Sequence, residues 1–486
     1  MAMNYAFARI LDKGVGVGAL GLAVFIPLPY ILGVAGPSSA VVPLIFVAAA
    51  LLLARTEPPS ERRGFLSLFA WAFIARLTVL LVLWGVLLPE KPGFLGPDAG
   101  MFFRVSELLA DNGFRLNAHP ITVLGSYDVA HYYLFAAAIR LLGSDLFTLK
   151  LVNSGLTALV APLLFSWSRS AIPQHGAVLG LVVALHPSLI VLSTVDLLKD
   201  PSIVFFMTLF IWSLTRAMKE TRLGSKVGFA ALSVAGIAYL RMDRAYVVAH
   251  LELAALAVFL LSAFRWRSLS PVFRRGIVVA AIVFVAAEGA TAVLGWPAAP
   301  ILVYLNAQHV FGVPAMWDYE LKTVGPVLEQ SLSKASLARG LKTVAYVFRR
   351  LYGPFVWIMP NRWDLRGILA ADFALYPGMV VSYALLPFAM IGLAVTGWRF
   401  VFRKEENVVL SILALFLLSY FTQYVLLNLS WRQREVMVPF LLVFGFIGLV
   451  LARRYRWWKH VYAIYWLVLL TVAAAHMAVR LVAGSP

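Results

Sequence analysis

Apolar runs long enough to cross a bilayer recur along almost the whole chain, and that constrains the fold more than any single motif. A spanning helix needs roughly 17–25 predominantly apolar residues. About thirteen stretches meet that need, near 15–35, 39–54, 64–88, 147–167, 177–196, 202–217, 227–241, 245–264, 276–294, 376–397, 408–428, 435–452 and 461–479. With 62% hydrophobic and 13% charged residues, a soluble protein could not hide this much apolar surface. The expectation is an all-α, polytopic integral membrane protein, 1–486 forming one transmembrane domain. Arg9 and Lys13 precede the first run, which carries no clear small-x-small cleavage site and reads as a retained first helix. Cysteine is absent, which excludes disulfides, thiolate nucleophiles and Cys-ligated metals.

The basic residues set the expected orientation. Arg62 and Arg63, Arg222 and Lys226, Arg274 and Arg275, Arg399 and Arg403, and Arg453 and Arg454 follow alternate spans. All fall on one side when the N-terminus is cytoplasmic, as the positive-inside rule requires. The net charge of +18 then reflects cytoplasmic loops and calls for no nucleic-acid partner. The other side receives two large segments, 89–146 and 295–375. It also receives three short turns: 198–201, 241–244 and 430–435.

The polar residues concentrate on that outer side. In 89–146, an amphipathic helix is predicted over 99–111, with Met101, Phe102, Val105, Leu108 and Leu109 at helical spacing and Gly113 as its stop. A second is predicted over 127–142, with Asp128, His131 and Tyr132 at its start. The 295–375 segment has aromatic and charged patches (Trp317 to Glu320, Pro360 to Asp364) suited to interfacial helices. The short turns carry Lys199 and Asp200; Arg241, Asp243 and Arg244; and Arg432, Arg434 and Glu435. Cations on the side that topology disfavours need a reason, and a shared phosphate or pyrophosphate is a good one.

Each of these residues also has an ordinary structural use. Asp98 suits a helix N-cap. Asp200 before Pro201 suits a helix start. Arg241, Asp243 and Arg244 suit a local ion pair, as do Arg432, Arg434 and Glu435. Glu252 and Glu288 lie inside predicted spans, where carboxylates are functional candidates by default, and His250 and Arg76 are further in-span polar residues. No Gly-rich phosphate loop or paired-His metal motif stands out.

Several pieces match one known pattern: Pro97-Asp98-Ala99 after a span, Tyr127-Asp128-Val-Ala-His131-Tyr132-Tyr133, and Leu149-Lys150-Leu-Val-Asn153 opening a span. To these are added His186-Pro187 through Lys199-Asp200-Pro201, and Arg434-Glu-Val-Met-Val-Pro439. Together they resemble the GT-C superfamily of polytopic glycosyltransferases, especially the protein O-mannosyltransferases and aminoarabinose-lipid transferases, over residues 64–240 and 410–450. The chain departs from the pattern in carrying two spans before the loop-bearing one, and Ala99 where an acidic neighbour is frequent.

The resemblance implies a sugar transferase of the cell envelope, in a bacterial inner membrane. Its donor would be a polyprenyl-phosphate sugar and its acceptor a lipid, glycan or protein hydroxyl. Asp98 would be the base of an inverting transfer. Asp128, His131, Tyr132, Lys199, Asp200, Arg241, Asp243, Arg244, Arg432, Arg434 and Glu435 would bind substrate. No cofactor is implied with certainty, and no residue pattern supports a divalent metal. The alternatives from other classes are a membrane transporter or lipid/oligosaccharide flippase, and a polysaccharide polymerase or ligase.

Overall fold

The computed structural model describes residues 36–84, 97–114, 129–169, 172–173, 175–195, 197–293, 376–402, 407–427 and 436–483. The predicted first span, the whole 295–375 segment, Asp128, Arg432, Arg434 and Glu435 lie outside the described residues, as does the side chain of Asp98. Among the described residues every regular element is helical. In chain order these are α1 (Pro37–Arg55), α2 (Pro59–Val82), α3 (Pro97–Asp111), α4 (Val129–Leu142), α5 (Leu146–Ser168), α6 (Gly176–Ala184), α7 (Pro187–Thr194) and α8 (Asp200–Lys219). They continue as α9 (Leu223–Asp243), α10 (Ala245–Phe264), α11 (Pro271–Val293), α12 (Tyr376–Phe402), α13 (Val408–Leu427), α14 (Val438–Ala452) and α15 (Trp458–Ala483).

Eight of these helices are long and apolar enough to cross a membrane, or nine if the bent pair α6–α7 counts as one span. Large apolar side chains stand exposed along them: Leu253, Leu256 and Leu260 on α10, and Val278, Ile282 and Val285 on α11. Surface of that kind suits lipid and not water. The chain is an α-helical membrane protein.

Helix α5 is the axis of the bundle. It is 94% buried over its apolar window and packs against α1, α2, α4, α6, α7 and α8. Packed on every side, it has no face to give to solvent, and its few polar side chains are buried too. The side chain of Asp145 caps it, accepting from the Thr148 amide at 2.9 Å. Farther along the chain, α12 lies against α14 at backbone contact. A Cβ at Gly392 would strike the Phe444 carbonyl, and one at Gly448 the Phe388 carbonyl. Small residues at such crossings are how membrane helices gain packing where lipid removes the hydrophobic drive.

The stretch expected as a single span over 177–196 is broken. α6 and α7 meet at a 40° bend, at Leu185-His186. Pro187 lacks an amide hydrogen and cannot continue the helix ladder. A break inside a membrane leaves carbonyls without partners, and each needs a donor. Arg76, fully buried on α2, gives its Nη1 to the Ala184 carbonyl at 2.9 Å and its Nε to Thr157 Oγ1 at 2.9 Å. The end of α7 is held from α5: Lys150 Nζ donates to the Val195 carbonyl (2.8 Å), Asn153 Nδ2 to that of Leu198 (3.0 Å), and Ser154 Oγ to that of Ser193 (3.3 Å). Residues 150, 153, 154 and 157 have the i, i+3, i+4, i+7 spacing of one helix face. A polar stripe on the most buried helix thus fixes the irregular chain that leads into Lys199 and Asp200.

Candidate functional site

The hydrogen bonds sort the helix ends. At one end of the bundle meet the start of α4, the start of α5, the end of α7, the start of α8, the end of α9 and the start of α10. The ends of α5 and α8 lie at the opposite end, beside the start of α2. Charged residues gather at both ends, and the first contains most of those that the sequence singles out.

Asp200 opens α8 with Pro201 in its first turn, as its sequence suits. Its carboxylate, 2% exposed, accepts from Arg244 Nη2 at 2.7 Å. Arg244 stands between α9 and α10, and its Nη1 also donates to the Tyr246 hydroxyl. Tyr246 in turn stacks with Tyr420 of α13, ring centroids 6.3 Å apart. Asp243, one residue earlier, goes elsewhere. Its Oδ1 accepts the backbone amide of His131 at 3.1 Å, capping from outside the third residue of α4. The 241–244 turn is thus tied to three other elements, beyond any local ion pair. Side chains at adjacent positions near a helix end diverge, and each finds a partner on a different element. Arg241, 2% exposed, pairs with Glu288 of α11, and Glu288 shares a hydrogen bond with Glu252 of α10.

His131 is fully buried. Its ring packs edge-on against Phe135 (4.4 Å) and Phe102 (5.0 Å), and Ser202 Oγ lies 3.5 Å from its Nδ1. Burial, with Lys199 and Arg244 adding to it, pushes its pKa well below the usual imidazole range, so the ring is neutral. Lys199 is held over the Phe102 ring, Nζ 5.7 Å from the centroid. Tyr132 is buried beside Phe102 at a ring separation of 5.9 Å.

Phe102 belongs to α3, so the first amphipathic helix is seated directly on this cluster. α3 begins at Pro97, which makes Asp98 its second residue and not the residue preceding the helix, as an N-cap would require. An acid in the first turn still suits the helix dipole.

Lys199, Asp200, Arg241, Asp243, Arg244, His131 and Tyr132 are thus brought to one end of the bundle. The two arginines there are each matched by a carboxylate, so the cluster is a balanced ionic network and not a bare cationic clamp. Such a network can hold a neutral or singly charged polar group in place with little reorganisation. A bound phosphate would meet Lys199 and whatever guanidinium hydrogens the carboxylates leave exposed. Lys150 and Asn153, which anchor the approach to Lys199, are residues that sequence reasoning passes over as site components. Their signal was polar spacing at one face of an otherwise apolar span. Among the described residues no group of three or more His, Asp and Glu side chains could hold a metal ion. No family model and no curated protein matches this chain.

Proposed function

We propose that the protein is a GT-C-type glycosyltransferase that moves a sugar from a polyprenyl-phosphate donor to an acceptor hydroxyl at the extracytoplasmic membrane face. The observation that carries this reading is the seating of α3 on the ionic cluster through Phe102. Helical spacing puts Asp98 one turn before Phe102, on the same helix face. A carboxylate there would stand at the edge of a site whose floor is Lys199, His131 and the Asp200–Arg244 pair. As the acceptor oxygen attacks the anomeric carbon, its proton passes to Asp98. The bond from that carbon to the donor phosphate breaks, and the lipid phosphate leaves with the electron pair. A hydroxyl has a pKa far above a carboxylate, so the proton moves late, as the new bond forms. Lys199 would stabilise the phosphate charge that grows meanwhile.

The finer topology belongs to the same proposal: about thirteen spans, a cytoplasmic N-terminus, and the site on the outer face, with 89–146 and 295–375 flanking it. The basic ends Arg55, Arg216, Lys219 and Arg222 fall at the opposite end of the bundle from the cluster, which supports that orientation. A bacterial inner membrane, bulk lipids around the bundle, and a lipid, glycan or protein acceptor complete the reading. No cofactor is assigned.

The in-span acids are the observation that favours transport. Yet Glu252 is the eighth residue of α10 and Glu288 the sixth from the end of α11. Helix rise puts each about 10 Å or less from the same end. They extend the cluster inward by about a third of the hydrocarbon thickness, and their partner Arg241 belongs to it. That arrangement is one site with a deep ionic base and does not read as a through path.

The test is turnover in sealed vesicles of known orientation, with a panel of polyprenyl-phosphate sugars. Release of free polyprenyl phosphate is expected only when acceptor is present on the extracytoplasmic side. Accumulation of intact donor or solute across the membrane, with no sugar transferred, would replace this reading by transport.

A further inference from the structure

At the end of the bundle opposite the cluster, α2, α5 and α8 border a half-open pocket of about 300 Å³. A single water needs roughly 10–15 Å³ by such a measure, so the space admits a larger polar group. Arg169, Arg216 and Lys219 line it, with Glu61, Ser166 and Trp212.

One wall is fixed by a closed network. Glu57, whose side chain is fully buried, accepts from Ser166 Oγ at 2.8 Å and pairs with Arg216. Arg216 also donates to Ser166 Oγ at 3.0 Å and lies over the Trp212 ring at 5.9 Å. Trp212 Nε1 donates to the same hydroxyl at 3.0 Å. The guanidinium is therefore held in one place while remaining 26% exposed.

Arg169 also lines the pocket, paired with Glu61 at 3.3 Å and 39% exposed. Lys219 lines it as well, exposed at the end of α8. It has no carboxylate within ion-pair distance among the described residues, and its charge and that of Arg216 repel. The nearest acid in sequence, Glu220, is occupied with the amides of Thr221 and Arg222, at 2.9 and 3.0 Å. Three cations against two carboxylates leave one positive charge beside the pocket.

We infer that this pocket binds a phosphate group, held between Arg216, Arg169 and Lys219 at the membrane surface. Guanidinium and ammonium donors suit phosphate oxygens. The inference is independent of the proposed sugar transfer at the other end. The phosphate can come from an anionic lipid of the adjoining leaflet or from a soluble phosphate.

Native mass spectrometry of the full-length protein separates the sources. The protein is titrated with phosphatidylglycerol, or with inorganic phosphate, in a neutral detergent. The doubly substituted Arg169→Gln, Lys219→Gln protein is expected to retain the bound species about tenfold less or worse, since each lost donor is charge-assisted. The pair Arg267→Gln, Arg275→Gln, on exposed basic positions elsewhere, is expected to retain it fully. Retention of phosphatidylglycerol that inorganic phosphate does not displace identifies a lipid headgroup, and displacement identifies a soluble phosphate. No retained species with either probe, or equal loss in both doubly substituted proteins, overturns the inference.

Discussion

Asp98→Asn is expected to lower turnover by about 10²–10⁴-fold, the usual contribution of a general base, while the protein still extracts and folds. Asparagine keeps the shape and the acceptor oxygen of aspartate but cannot take a proton. A first-turn acid that serves only the helix dipole contributes about 0.3–1 kcal/mol. Its loss would move stability slightly and leave activity per folded molecule intact. Alanine would blur the two cases, because it removes both acceptor and base. The measurement is initial transfer rate against folded protein, using the donor that turns over best. Near-normal transfer by Asp98→Asn with inactive Asp128→Asn would move the base to Asp128. Normal transfer by both would remove the carboxylate base from this loop.

The second large effect is expected at Arg244. Its partner Asp200 is 2% exposed, so Arg244→Met leaves a buried carboxylate without its cation. Breaking such a pair from one side typically costs about 3–5 kcal/mol, whereas removing both charges is often close to neutral. Unfolding in mixed detergent should therefore show Arg244→Met strongly destabilised, and Asp200→Asn combined with Arg244→Met restored most of the way. A single substitution that costs less than about 1 kcal/mol, or a double one as unstable as the single, would show that the pair does not hold the start of α8 to α10. Activity should fall in both proteins, because the restored fold lacks the ionic floor of the site.

Much of the architecture is legible in the sequence because a membrane helix advertises itself. The apolar runs that open near 39, 147, 202, 227, 245, 276, 376 and 408 all lie on helices, and the runs 99–111 and 127–142 become α3 and α4. That the 198–201 and 241–244 turns lie on one side is what span counting leads one to expect; that they touch is a matter of packing. What counting cannot supply is the choice of partner. Arg244 reaches Asp200, forty-four positions away. Asp243 turns to an α4 amide, and Arg241 reaches Glu288. Those choices depend on the rotation of each helix about its axis, which packing sets and hydropathy does not encode.

The break at His186-Pro187 was visible as a proline inside an apolar run, yet proline is common in membrane helices. What turns it into a true break is the donor set waiting for the freed carbonyls, above all Arg76 and Lys150. The Glu57–Arg216 network at the far end had no sequence signal beyond two opposite charges, one between two spans and one at the end of another, 159 positions apart.

The central claim is that a lipid-linked phosphate sits on the ionic cluster under α3, and photo-crosslinking tests it most directly. A polyprenyl phosphate carrying a diazirine near its phosphate is irradiated with the full-length protein, and the modified peptides are mapped by mass spectrometry. The account predicts adducts on 97–102, 131–133 and 199–202, suppressed by excess unlabelled polyprenyl phosphate and weakened by Lys199→Gln. Adducts spread along the lipid-facing sides of α10 and α11, or confined to the Arg216 end of the bundle and indifferent to Lys199→Gln, would contradict it.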